Sequence, residues 1–195
     1  MAKRQKTSKS GPGRLRIVAG NWRSRLLDIA DAPGLRPTSA RIRETLFNWL
    51  EPRIHGACCL DLFAGTGALG LEALSRGARR AVFVENSTPV VDELNANIKI
   101  LGAEGAVVRH MNAFDYLRGE NTEQFDLVFL DPPFASDVIE DVCRRLDERK
   151  MLADNASVYI EQARSKAEPK LPEGWAMLKN KTAGNVRYML ARQKT

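Results

Sequence analysis

Between residues 58 and 149, short apolar runs alternate with segments whose apolar residues recur at helical spacing. A chain that repeats strand and helix in this way favours a parallel sheet with helices on both faces, joined by right-handed crossovers. The sequence predicts strands at residues 58–62, 80–85, 106–110 and 126–130, and helices at residues 68–75, 89–101, 113–118 and 136–149.

The last part of the chain predicts three further strands, at residues 157–161, 176–179 and 186–191. Ala183, Gly184 and Asn185 separate the final two, and turn residues between two strands favour an antiparallel hairpin. The predicted fold class is therefore α/β, with a doubly wound, seven-stranded, mostly parallel sheet that ends in an antiparallel hairpin.

The N-terminal residues do not follow this alternation. Residues 1–13 are rich in Lys, Ser, Gly and Pro and predict a disordered arm, and residues 14–29 predict a small hairpin. Apolar residues at helical spacing then predict a helix from an N-cap at Thr38 or Ser39 to Pro52. The expected organisation is an arm (1–13), an extension of hairpin and helix (14–52) and an α/β domain (53–195).

Positive charge is concentrated at the N-terminus. Residues 1–25 contain eight Lys or Arg and no Asp or Glu, whereas the other residues contain 22 basic and 24 acidic side chains. The net charge of +6 therefore resides in the first 25 residues. This asymmetry predicts a polyanionic partner that the N-terminal segment contacts, with a solubilising tail as the alternative.

The sparse cysteines and histidines argue against a metal site or a disulfide framework. Cys58, Cys59 and Cys143 form no CxxC pair, and the histidines, His55 and His110, lack ligand spacing. Buried reduced thiols in a cytoplasmic protein fit best. We find neither a secretory signal nor an apolar run of membrane-spanning length, and nothing indicates more than a monomer.

Two glycines and two acidic residues mark the ends of the first two strands of the alternating region. Gly65 and Gly67 allow a backbone to approach a ligand closely. Asp61 lies inside the end of the first predicted strand and is placed to accept hydrogen bonds from an ammonium group. Glu85, about 20 residues after the glycines, is placed to accept both hydroxyls of a ribose. A tight strand–helix turn is the simpler explanation of the glycines alone.

The third strand is followed by Asn112, Ala113 and Phe114, a polar and an apolar group that could contact the edge and face of an adenine. With Glu85 and the glycines, they fall at successive strand ends. Because the carboxyl ends of parallel strands meet at one edge of a sheet, these groups predict one cofactor pocket.

The fourth strand runs into Asp131, Pro132, Pro133 and Phe134. Proline has no N–H and a fixed φ, so the chain must turn here and leave a carboxylate, free carbonyl oxygens and an aromatic ring at the sheet edge. We predict that this DPPF turn, residues 131–134, is the catalytic site. The alternative is a structural loop whose Phe134 packs in the core.

Together, the segment 61–67, Glu85 and the DPPF turn resemble the motifs of Rossmann-like (class I) S-adenosylmethionine-dependent methyltransferases that act on amino groups. With the segment 36–50, RPTSARIRETLFNWL, the chain over about residues 14–192 closely resembles one family among them. This is the bacterial 16S ribosomal RNA guanine-N2 methyltransferase family of RsmD type. One departure is Asn112, where Asp is commoner; its amide oxygen can still accept from the adenine amine.

The resemblance implies methylation of a guanine N2 in 16S rRNA or the assembling small subunit. Asp131 and the Pro132 carbonyl would accept the amine N–H groups, and Phe134 would stack on the base. Adenine N6 in DNA or RNA, a protein glutamine, or a non-catalytic RNA-binding role are the alternatives. S-adenosylmethionine contacts are expected from Asp61, Phe63, Ala64, Gly65, Gly67, Glu85, Asn112, Ala113 and Asp131, and RNA contacts from Arg14, Arg16, Arg23, Arg36, Arg41 and Arg43.

Overall fold

The computed structural model describes residues 13–32, 35, 37–120 and 123–194. The predicted arm therefore lies outside the described residues, apart from Gly13. The elements are β1 (Arg14–Arg16), β2 (Leu26–Asp28), α1 (Ala40–Ile54), β3 (Cys58–Asp61), α2 (Ala68–Ser75), β4 (Arg80–Glu85), α3 (Thr88–Leu101), β5 (Ala106–His110), α4 (Ala113–Arg118), β6 (Phe125–Leu130), α5 (Ile139–Glu148), β7 (Leu152–Ala163), β8 (Trp175–Ala183) and β9 (Val186–Gln193).

Seven of these strands form one sheet in the order β5-β4-β3-β6-β7-β9-β8, while β1 and β2 form a separate antiparallel hairpin. The strands from β5 to β7 are parallel, and β9 and β8 extend the sheet antiparallel. The predicted α/β fold and C-terminal hairpin are confirmed. The strand order reverses between β3 and β6, and ligands of such sheets bind at that point, beyond the carboxyl ends of the strands.

The central strands are apolar on both sides because helices cover both faces. All four residues of β3 are buried, as are five of the six in β6. One core contains the buried sides of β1, β2, α1, α2 and α3, and the other contains those of α4 and α5. The N-terminal extension thus shares a hydrophobic core with the sheet; its treatment as a separate segment stays a prediction.

The helix α1 begins where predicted and ends later. The Ser39 side chain accepts a hydrogen bond from the Ile42 N–H at 3.3 Å and caps the helix. The prediction that Pro52 ends the helix is wrong, because α1 continues to Ile54. Proline in the last turn removes one hydrogen bond, and burial of Ile54 (5% exposed) in the core compensates for it.

Other boundaries differ where tertiary contacts extend or shorten an element. The strand β7 is longer than the predicted 157–161, because β6 and β9 pair with it on its two sides. The helix α5 begins at Ile139 rather than at Ser136. Ser136 instead closes a turn, and its N–H and Oγ both donate to the Pro133 carbonyl, at 2.9 and 2.7 Å.

Candidate active site

The loops after β3, β4, β5 and β6 meet at the carboxyl edge of the sheet. The loop after β3 contains two glycines. Gly65 and Gly67 have φ values of 48° and 74°, in the left-handed region that glycine tolerates best. A Cβ on Gly67 would lie 2.5 Å from Leu94 Cδ1, and one on Gly65 would lie 3.1 Å from Leu35 Cδ1. Leu94 and Leu35 therefore pack against this loop, and a side chain at Gly67 would force the loop to shift.

Glu85 is fixed by backbone donors from two loops. Its Oε2 accepts from the Gly65 N–H at 3.0 Å, and its Oε1 accepts from the N–H groups of Asn86 at 2.9 Å and Ser87 at 2.8 Å. The carboxylate remains half-buried beside the glycine loop. This arrangement holds an acceptor where the sequence predicts a ribose.

Asp61 lies behind the loop and is 2% exposed. Its Oδ2 accepts from the Gly70 N–H at 2.9 Å, so the carboxyl group binds the first turn of α2. Burial raises the pKa of Asp61 to about 8 despite that hydrogen bond, and the charges of Asp131 and Glu85 act in the same direction. A cation bound at this point would favour the ionised carboxylate, and the predicted ammonium contact stays a prediction.

Asn112 is the N-cap of α4, and its Oδ1 accepts from the Phe114 N–H at 2.8 Å. The Asn112 side chain is exposed, Ala113 is buried, and the Phe114 ring lies 5.6 Å from the Arg145 guanidinium. A carbonyl oxygen has two lone pairs, so the capping bond leaves one free for a ligand. The position thus remains suited to an adenine edge.

The DPPF turn leaves its aromatic ring exposed. Phe134 is 41% exposed, so the alternative in which its ring packs in the core is wrong. The Pro133 carbonyl is occupied by Ser136, whereas among the described residues no donor bonds to the Pro132 carbonyl. The turn therefore combines a carboxylate, a free carbonyl and an aromatic face.

Asp131 is held by the N-terminal extension. Thr38 Oγ1 donates to Asp131 Oδ2 at 3.0 Å. Desolvation raises the pKa of Asp131 to about 6, and the Thr38 hydrogen bond opposes that rise. The carboxyl group is thus mostly ionised near pH 7 and becomes protonated in mild acid.

Sequence reasoning did not identify Glu161 as a site residue. It is 4% exposed at the carboxyl end of β7, and Tyr159 Oη donates to its Oε2 at 2.6 Å. Burial raises the pKa of Glu161 to about 8, and the nearby charge of Asp131 adds to the rise. The sequence signal is a single acidic residue that follows the apolar run 158–160 within a predicted strand.

A cavity of about 380 Å³ opens beside the DPPF turn. The segment 166–169 lines its other side, where Lys166 Nζ pairs with Asp137 Oδ1 at 2.7 Å. Such a volume suits a small planar ring system. Residues of the cavity wall include Pro132, Pro133, Phe134 and Glu161.

The arginines proposed to contact RNA have different environments. The side chains of Arg14, Arg16, Arg23 and Arg41 are exposed, and Arg36 lies outside the described residues. The expectation that Arg43 contacts RNA is wrong, because its side chain is 2% exposed and pairs with buried Glu72 at 3.0 Å.

Glu72 is the centre of a buried polar cluster. Its carboxylate accepts from the N–H groups of Val18 at 2.8 Å and Ala19 at 2.9 Å, and from the guanidinium groups of Arg43 and Arg76. Arg43 also donates to the backbone carbonyls of Thr38 and Arg16. The cluster fastens the extension to α2, which explains why a charged residue of α1 is buried.

Within residues 13–32, 35, 37–120 and 123–194, no group of His, Cys, Asp and Glu is arranged to hold a metal ion. Over the same residues, no helix is long and apolar enough to cross a membrane.

Comparison with known proteins identifies the family. A family model described as conserved hypothetical protein 95 matches residues 15–192. The chain belongs to this family. Relatives of this chain include ribosomal RNA small subunit methyltransferase D of Escherichia coli K12. The two sequences are 45% identical over 186 residues, which cover 95% of this chain and 93% of the relative. The Haemophilus influenzae protein of the same name is 45% identical over 182 residues, covering 91% and 93%.

Structural similarity agrees with this family. The solved structure of Escherichia coli yhhF has a TM-score of 0.87 and 41% identity, covering 93% of this chain and 99% of that one. A solved Haemophilus influenzae structure has a TM-score of 0.81 and 40% identity, covering 94% and 100%. The predicted membership of the RsmD-type family, within the conserved hypothetical protein 95 family, is confirmed.

Proposed function

We propose that this protein transfers a methyl group from S-adenosylmethionine to the exocyclic N2 amine of a guanine in 16S rRNA. The observation that carries the proposal is the DPPF turn at the switch point of the sheet, with Asp131 fixed by Thr38 and Phe134 exposed. Relatives named ribosomal RNA small subunit methyltransferase D, which match nearly the whole chain, support the reaction and the RNA class.

The residues at the edge of the sheet fit the methyl donor. The glycine loop packs tightly against Leu94 and Leu35 because Gly67 and Gly65 lack a Cβ, and Glu85 presents a fixed acceptor for ribose hydroxyls. Asp61 supplies a carboxylate for the amino group, and Asn112 supplies an amide for the adenine edge. When bound, the cofactor supplies a sulfonium-activated methyl group. Phe63, Ala64 and Ala113 complete the proposed wall of this pocket.

The acceptor amine needs help because its lone pair is delocalised into the base. Asp131 and the free Pro132 carbonyl can each accept one N–H, which lets the nitrogen pyramidalise as it attacks. Phe134 provides the stacking face, which contributes about 1–3 kcal/mol per base. The two prolines fix these groups before the base arrives, so the site requires little reorganisation.

Asp131 also accounts for the proton. When the nitrogen forms its bond to the methyl carbon, one N–H proton must leave, and Asp131 Oδ1 is the oxygen without the Thr38 hydrogen bond. With a pKa raised to about 6, Asp131 is ionised at neutral pH and can take this proton as a general base.

The exposed arginines and the basic N-terminal arm form the proposed docking surface for RNA or the assembling subunit. Arg14, Arg16, Arg23 and Arg41 provide exposed positive charge, which suits phosphates of a preformed RNA shape. Arg36 is included in this proposal on sequence grounds alone. The RNA must present the guanine unstacked, because a base inside a duplex could not both stack on Phe134 and place its amine at Asp131.

The decisive experiment measures transfer of labelled methyl from S-adenosylmethionine to 16S rRNA and to small subunits from cells that lack the protein. Nucleoside mass spectrometry then identifies the product. We expect N2-methylguanosine from the wild type and none from Asp131→Ala, whose cofactor affinity stays within about threefold. N6-methyladenosine, or no transfer to any of these substrates, would refute the proposal.

A further inference from the structure

Asp131 and Glu161 occupy neighbouring positions at the carboxyl edge of the sheet. Leu130 of β6 pairs with Ile160 of β7, so the next residues along these parallel strands are Asp131 and Glu161. Asp131 contacts Thr38 ahead of α1, and Tyr159, two residues before Glu161, packs in the core on the α1 side. Since side chains alternate along a strand, Glu161 is directed to the same face as Tyr159. Two carboxyl groups thus lie side by side.

The surroundings of Glu161 do not account for its carboxyl group structurally. Among the described residues, no Lys or Arg forms an ion pair with it, and its one hydrogen bond is from Tyr159 Oη to Oε2. Tyr188 is its partner residue on β9. A buried carboxyl without a cation is destabilising unless another group uses it. Oε1 is the oxygen left for such a group, and Glu161 lines the cavity beside Phe134.

We propose that Glu161 is a specificity-determining residue of the base pocket, and that its Oε1 accepts the ring N1–H hydrogen bond of the guanine whose N2 amine lies at Asp131. This inference rests on the proposed function. Guanine carries two adjacent donors, the N1–H and the N2 amine, and two adjacent carboxyl groups match them. Adenine and cytosine instead carry an unprotonated ring nitrogen beside their amine, so a carboxylate at Glu161 would face a lone pair.

The Tyr159 hydrogen bond orients this group. Tyr159 Oη donates to Oε2 and so restrains the carboxyl group, and Oε1 remains for the base. Burial and the charge of Asp131 raise the pKa of Glu161 in the protein without a base. A donor such as N1–H favours the ionised form, so binding of guanine would release the Glu161 proton.

The test compares substrate RNAs that carry guanine or 2-aminopurine at the mapped target position, introduced by splint ligation. 2-Aminopurine keeps the exocyclic amine but has a lone pair at N1. The assay is run at about pH 9, above the raised pKa of Glu161 of about 8, so that the group is a carboxylate before either base binds. Under this condition we expect the wild type to show a kcat/KM about tenfold or more lower for 2-aminopurine. In Glu161→Gln, the amide can donate to that lone pair, so the ratio of the two kcat/KM values should narrow to within about threefold.

A matched control is Glu140→Gln, which removes an exposed charge from the same cavity wall and should leave the ratio at its wild-type value. Thermal melting and S-adenosylmethionine affinity establish that each variant is folded. If Glu161→Gln does not fold, Glu161→Asp, whose carboxyl is withdrawn by one methylene, should lower kcat/KM for guanine without any gain for 2-aminopurine.

Equal use of both RNAs by the wild type, or an unchanged ratio in folded Glu161→Gln, would overturn the assignment of Glu161 while the proposed function stands. Absence of methylation of the guanine RNA by the wild type would instead refute the proposed function itself.

Discussion

Thr38 Oγ1 donates a hydrogen bond to Asp131 Oδ2 at 3.0 Å, across a sequence separation of 93 residues. Thr38 precedes α1, in the extension that carries the exposed arginines, whereas Asp131 begins the DPPF turn. The bond therefore joins the proposed docking surface to the proposed general base, and it stabilises the ionised form of that base.

Removal of this bond should weaken catalysis most in mild acid. The hydrogen bond lowers the pKa of Asp131, so Thr38→Val should raise it above its value of about 6. More Asp131 is then protonated at pH 6, and we expect kcat there to fall by about tenfold, with a smaller loss at pH 8. A pH–rate profile measures the shift. Thr45→Val is the control, because Thr45 bonds only the Arg41 carbonyl, and an equal shift in that variant would contradict the prediction.

The buried pair of Arg43 and Glu72 should contribute stability rather than RNA affinity. Arg43→Met leaves the Glu72 carboxylate buried without one of its cations, and we expect the free energy of unfolding to fall by about 3–5 kcal/mol. Urea denaturation provides the measurement. Arg14→Met removes an exposed pair with Asp28 and should cost at most about 1 kcal/mol. Equal effects of the two substitutions would refute the structural role of Arg43.

Gly67→Ala should impair cofactor binding. Its φ of 74° and a contact of 2.5 Å to Leu94 Cδ1 both oppose a Cβ, so the loop must shift. We expect S-adenosylmethionine affinity by calorimetry to fall by about tenfold or more. Gly102→Ala has a similar φ of 61° and no atom within 4 Å, so it should lose a little stability and keep its affinity. Unchanged affinity in Gly67→Ala would show that the backbone here does not contact the ligand.

Glu161 should make the protein less stable as pH rises. Its folded pKa of about 8 exceeds the ordinary value of 4.5, so the folded state retains a proton that the unfolded state loses between those values. Stability therefore falls with rising pH across that window. We expect Glu161→Gln to raise the free energy of unfolding at pH 8 by on the order of 2 kcal/mol relative to its effect at pH 4. Urea titrations at both pH values measure the free energy of unfolding of the wild type and of Glu161→Gln, with Glu140→Gln as the reference variant. If the difference between Glu161→Gln and the wild type were the same at both pH values, the prediction would be wrong.

Removal of residues 1–13 should weaken RNA binding and flatten its salt dependence, because each phosphate contact that is lost removes counterion release. The matched control keeps the length of the arm and replaces its four Lys and Arg residues by Gln. Both proteins should show the same reduced slope of log affinity against log salt. A wild-type slope in either would indicate a solubilising tail instead.

Much of the site follows from sequence because periodicity locates strand ends and parallel strands bring those ends together. Gly65, Glu85, Asn112 and Asp131 all occur at the predicted edge for this reason. Charge asymmetry likewise predicts a polyanionic partner for the N-terminal arm, and that stays a prediction because the arm, apart from Gly13, lies outside the described residues.

The features of the site that the sequence did not predict depend on contacts between distant segments. Arg43 was predicted to be exposed because arginine is normally solvated, yet its spacing from Leu46, Phe47 and Leu50 places it on the buried face of α1. Only the presence of Glu72 in α2 makes that position possible. The sequence predicted Thr38 or Ser39 as the cap; Ser39 performs that role, and Thr38 bonds Asp131 instead.

The cluster at Glu72 has a consequence for target choice. Since it ties the hairpin and α1 to α2, the surface that carries Arg14 and Arg41 cannot shift relative to the DPPF turn without breaking buried hydrogen bonds. The separation between the proposed phosphate contacts and the nitrogen proposed to lie at Asp131 is then fixed by the fold. A protein of this kind would select its nucleotide by distance. It would accept only an RNA in which the separation between backbone phosphates and flipped base matches the separation between the arginines and Asp131.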